Sequence, residues 1–402
     1  MKKIFAMLLC ALLMFCVGVP ACAAEGGAPQ PLQFRRDGTF RILNYCDLHS
    51  SYPLTEASTA FMEESIAVLK PDLVVLGGDN CVSSAEDKEK CIREICASFV
   101  DSGTYFTLVF GNHDDEQGVD KETLLGCYQK YGGQYCLAYD AVPELTGVGT
   151  HNLPILSADG GRTAYNVWLF DSNTYAYDEA GNKLGYDAVH PDEIKWYKST
   201  AAALAQQNGG RVVPAMAFQH IIVMESYDAL FYKSPVTSDK LRGALAIFPV
   251  NHFDGVSFTY LPKIASLQSG LMLEKPCPGY YNYGQLDAMA EVGDVRAVYS
   301  GHDHTNDFTL HLKGVDVINT PSCSFRATTN NINRGVRVVD LAEDGGYETH
   351  VYYAAEHILK TDSKIPQAEG GMSKARAFFD NLARIFLNAL VKVLKIPFFF
   401  AK

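Results

Sequence analysis

No Cys-x-x-Cys pair occurs in these 402 residues, which removes the usual frame of a thiolate zinc site. A basic stripe is missing too. The chain has 34 Lys and Arg against 46 Asp and Glu, a formal −12, and so acidic a balance excludes a dedicated nucleic-acid binder. Internal repeats and low-complexity blocks do not occur, so a collagen-like chain is excluded. The longest uncharged apolar run, residues 4–19, is short for a membrane span, and nothing resembles a polytopic membrane protein. What is present is the balance of a folded globular chain, 48 % hydrophobic and 20 % charged, rather than a disordered one. The length allows one large domain or two ordinary ones.

The two ends differ from the middle. Lys2 and Lys3 precede the apolar run, Pro20 breaks it, and Ala21-Cys22-Ala23 has the small-x-small form of a signal-peptidase site. Residues 1–23 read as a secretory signal peptide, with an uncleaved anchor helix as the alternative. The expected location is therefore secreted or extracytoplasmic. Eight cysteines then remain, and export permits disulfides, with Cys127 and Cys136 the first pair to test. At the other end, residues 372–402 carry six Lys and Arg and one Asp. Phe378, Phe379, Leu382, Ile385, Phe386, Ala389, Leu390, Val393 and Leu394 recur there at helical spacing, and Phe398-Phe399-Phe400 follows. This basic amphipathic helix suits a membrane surface, or equally a last helix packed on the protein's own core. The body between, residues 24–371, has 26 Lys and Arg against 45 Asp and Glu, a formal −19.

From residue 39 onward, short apolar runs alternate with amphipathic stretches. The runs cover residues 40–46, 73–77, 104–110, 165–170, 212–218 and 295–300; the helical stretches lie near 55–70, 86–101, 119–131 and 192–207. That is an α/β pattern with largely buried strands. After residue 305, short strands with turns predict β-hairpins that complete a second sheet.

Five of the six apolar runs stop at a residue able to bind a hard or borderline metal. They end in Asp47-Leu48-His49, Gly78-Asp79, Gly111-Asn112-His113-Asp114, Gln219-His220 and Gly301-His302-Asp303-His304. Ligands in open α/β sheets bind at the carboxyl ends of strands, so the five segments are expected to converge. In extended chain, residues i and i+2 point the same way, which lets Asp47 face one cavity with His49, and His302 with His304. Glycines beside Asp79, Asn112 and His302 permit sharp turns or close approach. Carboxylate, imidazole and amide oxygen together suit Fe, Mn or Zn. His151, His190, His252, His311, His350 and His357 lack this context and default to surface or core.

Taken together, Asp47-x-His49, Gly78-Asp79, Gly111-Asn112-His113-Asp114, His220 and Gly301-His302-x-His304 resemble the five blocks of the calcineurin-like metallophosphoesterases. The strings around residues 111–116 and 301–308 are most similar to the branch related to purple acid phosphatases. That branch has Gly in the first block where this chain has His49, and a metal-bound Tyr where it has Val82, so tyrosinate–iron colour is not expected.

The resemblance implies a four-layer α/β/β/α sandwich over residues 32–360 and two divalent or mixed-valence ions (Fe, Mn or Zn). One ion would take Asp47, His49, Asp79 and His304. The other would take Asp79, Asn112, His220 and His302, with Asp79 shared. It also implies hydrolysis of a phosphorylated substrate, a phosphomonoester first, by a hydroxide bridging the two ions. His113 would assist the leaving group and Asp114 orient His113. Asp303 and Asp307 are candidates for a supporting layer, and Tyr281 and its neighbours in 279–284 for the pocket wall. The alternatives are a phosphodiesterase built on the same residues and a phosphate- or metal-binding surface protein without turnover.

Overall fold

A computed structural model of the chain describes residues 31–234, 250–263, 266–327 and 332–395. The leader expected at 1–23 and the last seven residues lie outside them.

Two sheets stand face to face. The first contains β1 (Thr39–Tyr45), β2 (Leu73–Gly77) and β3 (Phe106–Val109), parallel to one another, with β15 (Gly335–Ala342) and β16 (Tyr347–Tyr353) added antiparallel beside β1. The second has the order β13-β14-β12-β8-β5-β4. Its parallel centre is β5 (Thr163–Leu169), β8 (Ala215–Phe218), β12 (Val295–Ser300) and β14 (Val315–Asn319); β4 (His151–Leu156) and β13 (Thr309–Leu312) flank it antiparallel. A small hairpin, β6 (Tyr175–Tyr177) and β7 (Lys183–Tyr186), leaves the second sheet after β5.

Both faces of each sheet are covered, which is why the central strands read as continuous apolar runs. Between the sheets lie Phe40, Ile42, Val75 and Val109 from one side and Val167, Met216, Phe218 and Tyr299 from the other. Outside the first sheet pack α1 (Glu56–Leu69), α2 (Lys88–Ser102) and α3 (Lys121–Gly132), through Phe61, Ile92, Phe99 and Leu124. Outside the second pack α4 (Pro191–Gln207), α5 (Glu225–Leu230) and α6 (Gln285–Val292), through Tyr197, Tyr227 and Leu286. The layering is α/β/β/α. Local signals fix the helix starts: Thr55 accepts from Ser58 N at α1, and Asp120 from Thr123 N at α3.

One expectation needs correcting. Two late hairpins form, but only β13–β14 joins the second sheet; β15–β16 completes the first, because β15 pairs along β1 from Thr39 to Asn44. The described cysteines are all free thiols, Cys127 and Cys136 included.

His151 on β4 sits in the core, fully buried. Its Nδ1 donates to Gly149 O (2.7 Å), so Nε2 accepts from the Thr107 hydroxyl on β3 (2.8 Å) and ties the two sheets. Burial holds its pKa down to about 4 from 6.5. The unfolded chain therefore takes up this proton first as pH falls through 6.5. The neutral buried ring contributes its full stability above that value and loses it progressively down to about 4. At 1.36 kcal/mol per unit, wild type should lose about 2 kcal/mol more than His151→Gln between pH 7.5 and 5. Urea unfolding of both proteins at the two pH values checks this; equal losses would refute it.

Candidate dimetal centre

Parallel strands end on the same side, so β1, β2 and β3 of one sheet and β8 and β12 of the other release their next residues at one edge of the sandwich. There Asp47, His49, Asp79 and His304 bring one donor atom each within 4.8 Å of one another, and so do Asp79, His220 and His302. Asp79 belongs to both groups. Its Oδ2 lies 3.5 Å from His49 Nε2 and 3.3 Å from His220 Nε2, and Asp47 Oδ1 lies 3.5 Å from His304 Nε2.

The backbone bends sharply to do this. Asp47, His49, Asp79 and His302 all have positive φ, 53°, 45°, 50° and 69°, conformations that cost an L-residue energy and that concentrate at functional sites. Glycine makes room at two points. Gly78 itself has φ 94°, and a Cβ there would overlap the His220 ring; a Cβ at Gly111 would overlap the Asp79 carboxylate.

Four buried atoms in this cluster have no hydrogen-bond partner: Asp79 Oδ2, Asn112 Oδ1, His220 Nε2 and His302 Nε2. A buried polar group without a partner costs free energy, and three of the four belong to residues, Asp79, His220 and His302, grouped closely enough to hold a cation. His220 Nδ1 donates to Gly77 O (3.0 Å), which leaves Nε2 as the ring nitrogen facing the cluster. His49 and His304 stand Nε2 to Nε2 at 3.0 Å, a pair that a single proton can join or that one cation can be held between. The residues therefore fit two metal ions.

Electrostatics agree. Burial keeps His49 neutral, its pKa held down to about 3, and holds His302 well below the usual imidazole range. Burial raises Asp47 to about 6, opposed by His304 and His220. For the Asp79–His220 pair, burial opposes both charges, yet their mutual attraction wins. Asp79 is held well below the ordinary carboxylate value and His220 is raised to about 10. Ion binding at His220 must displace that proton.

His113 lies beside this cluster, its ring 5.5 Å from that of His49, and its backbone N–H donates to Asp79 Oδ1 at 2.8 Å. Asp114 does not orient it. The buried Asp114 carboxylate accepts from the backbone N–H groups of Asn80, Cys81 and Gly111 at 3.0, 3.0 and 2.8 Å, pinning the loop after β2 to the loop after β3. The ring's partner is Glu116, whose Oε2 is 2.5 Å from His113 Nδ1. Tyr175 on β6 donates to the other Glu116 oxygen at 2.6 Å and receives Asn112 Nδ2 at 3.5 Å. Tyr186 on β7 packs its ring 4.2 Å from that of His302.

Sequence reasoning missed Glu116, Tyr175 and Tyr186. None of the three carried a periodic signal: Glu116 follows His113 in a short turn, and the two tyrosines lie in a short hairpin. Asp303 Oδ1 accepts from Cys277 N; Asp307 accepts from Leu271 N and the Tyr353 hydroxyl. Both therefore anchor the 271–277 segment over the last block. The 279–284 loop is tied to β7, Tyr280 N–H donating to Tyr186 O at 2.8 Å, and the Tyr186 ring packs on His302.

Residues 40–306 match the calcineurin-like phosphoesterase family. The chain belongs to that family. Among its relatives are two Arabidopsis thaliana proteins. Probable inactive purple acid phosphatase 14 is 27 % identical over 338 residues, 76 % of each chain. Probable inactive purple acid phosphatase 28 is 23 % identical over 350 residues, 79 % of each. A dimetal phosphatase structure from Danio rerio aligns with 78 % of this chain and 99 % of its own, at a TM-score of 0.46 and 11 % identity. The family match covers the strand ends where Asp47, His49, Asp79 and His304, and Asp79, His220 and His302, form candidate metal-ligand groups.

Proposed function

We propose that the protein is an exported, dimetal phosphoesterase that hydrolyses phosphomonoesters. The observation carrying this reading is the Asp79 carboxylate, which belongs to both candidate ligand groups and whose buried Oδ2 lacks a hydrogen-bond partner, as do His220 Nε2 and His302 Nε2. Two bound cations, drawn from Fe, Mn and Zn, would neutralise the phosphoryl oxygens and lower the pKa of an attacking water. Asp47, His49, Asp79 and His304 would hold one, and Asp79, Asn112, His220 and His302 the other. His113, braced by Glu116, donates a proton to the departing oxygen. Asp114 holds the two ligand loops in register. Export rests on the leader features of residues 1–23.

The named relatives favour a second reading, a metal-binding protein without turnover, because both Arabidopsis proteins carry "probable inactive" in their names. Every donor and His113 are present in this chain, which supports the active reading. Purified protein loaded with Mn, Fe or Zn, assayed for bound metal and against generic mono- and diesters, decides between them. Two ions with monoester hydrolysis is the expected result. Diester preference would move the substrate class, and two ions with no hydrolysis would establish the second reading.

A further inference from the structure

The last helix (Lys374–Leu394) packs on the body yet leaves a broad apolar stripe open. Ala377, Asp380 and Arg384 face the body. Asp380 and Arg384 are buried; the Arg384 guanidinium lies 3.6 Å over the Tyr353 ring and pairs with Glu356. The opposite side is apolar and open: Phe378, Phe379, Leu382, Ile385, Phe386 and Val393 are each 53 to 76 % exposed. Seven of the thirteen large hydrophobic side chains exposed among the described residues belong to this one helix. So strong a concentration marks a contact surface, whereas scattered single residues would not.

We propose that this face docks on a lipid bilayer containing anionic phospholipid. Three observations select that occupant. No helix among the described residues is long and apolar enough to cross a membrane, and buried Ala377 together with the Arg384 contacts to Glu356 and Tyr353 fixes this one flat against the body, the posture of an interfacial helix. Lys392 and Lys395, with Gln268, Ser269 and Asn388, line a cavity of about 210 Å³ at its end. Both lysines are exposed and flank the exposed Val393 and Leu394 in sequence, at the end of the stripe that headgroup phosphates would meet. The charge is also segregated, +5 over residues 372–402 against −19 for residues 24–371, so an anionic surface attracts the helix and turns the acidic body away. A second copy docked through the same face would oppose like-charged lysines and bring two acidic bodies together. The sequence beyond the helix, Ile396-Pro397-Phe398-Phe399-Phe400, extends the apolar character.

The test is co-sedimentation of the full chain with phosphatidylcholine vesicles, with and without phosphatidylglycerol. Wild type should pellet with the mixed vesicles. Phe379→Ser combined with Phe386→Ser should weaken partitioning by at least about tenfold, with an unchanged near-ultraviolet circular dichroism spectrum. Lys392→Glu with Lys395→Glu should leave binding that no longer distinguishes the two vesicles. Wild type staying in solution, the double Phe variant pelleting like wild type, or a lipid-free dimer that the same variant dissociates would each overturn the proposal. The last outcome would assign the face to a second copy.

Discussion

Asp79→Asn should reduce bound metal from two ions per chain to one at most and lower phosphoester turnover by on the order of a thousandfold. Electrostatic groups of this kind are each worth two to three powers of ten, and Asp79 belongs to both ligand groups. The substitution keeps the shape. An amide oxygen can still accept from His113 N, as Asp79 Oδ1 does at 2.8 Å, so the loop has a reason to stay where it is. What changes is charge: one oxygen facing His49 and His220 becomes an NH2 group that cannot bind a cation. Metal analysis of the purified variant beside its unfolding curve separates lost ligation from lost fold. A folded variant that keeps two ions and most of its activity would remove Asp79 from the centre and, with it, the two-ion reading.

The same centre shows how far residues can be read before a structure exists. Five strand ends carrying metal-binding side chains were legible because strand ends in parallel sheets share one edge, and local apolar runs reveal where strands stop. Strand alternation is not what turns Asp47 inward with His49. Extended chain places i and i+2 together, yet both residues have positive φ; it is a tight bend that turns them inward, and bends of non-glycine residues leave no periodic mark. The partner of His113 was illegible for a similar reason. Asp114 and Glu116 both follow it in one short loop, and the turn after β3 points the first at three backbone N–H groups and the second at the ring. Tyr175 and Tyr186 sit in a hairpin too short to alternate visibly. The place of β15 depends on a partner about 300 residues upstream (Thr39 pairs Ala342), which local pattern does not encode. In the last helix the apolar stripe was plain, but which stripe meets the body was decided by Arg384 finding Glu356 and Tyr353.

His113→Ala is expected to act selectively. Proton donation to a leaving oxygen is worth about 10²–10⁴-fold, but only where the leaving group needs the proton. Alkyl phosphates should therefore slow by that factor, while p-nitrophenyl phosphate, whose phenolate departs unprotonated, slows far less. Glu116 touches the ring and not the substrate. It lies 2.5 Å from Nδ1, which leaves Nε2 as the nitrogen available to substrate. Glu116→Gln keeps a hydrogen-bonding group there but removes the charge. Its loss should be intermediate, about ten- to a hundredfold on alkyl esters, the range seen when a group that orients a histidine is changed. Asp114→Asn should behave differently, lowering thermal stability and metal retention while leaving the ratio between the two ester classes alone, because its carboxylate binds loop backbone. The measurement is log kcat against leaving-group pKa for wild type and the three variants: shallow for wild type and Asp114→Asn, steep for His113→Ala, and between them for Glu116→Gln. Parallel lines for wild type and His113→Ala would mean that the ring only binds the ester, and the leaving oxygen would need another source for its proton.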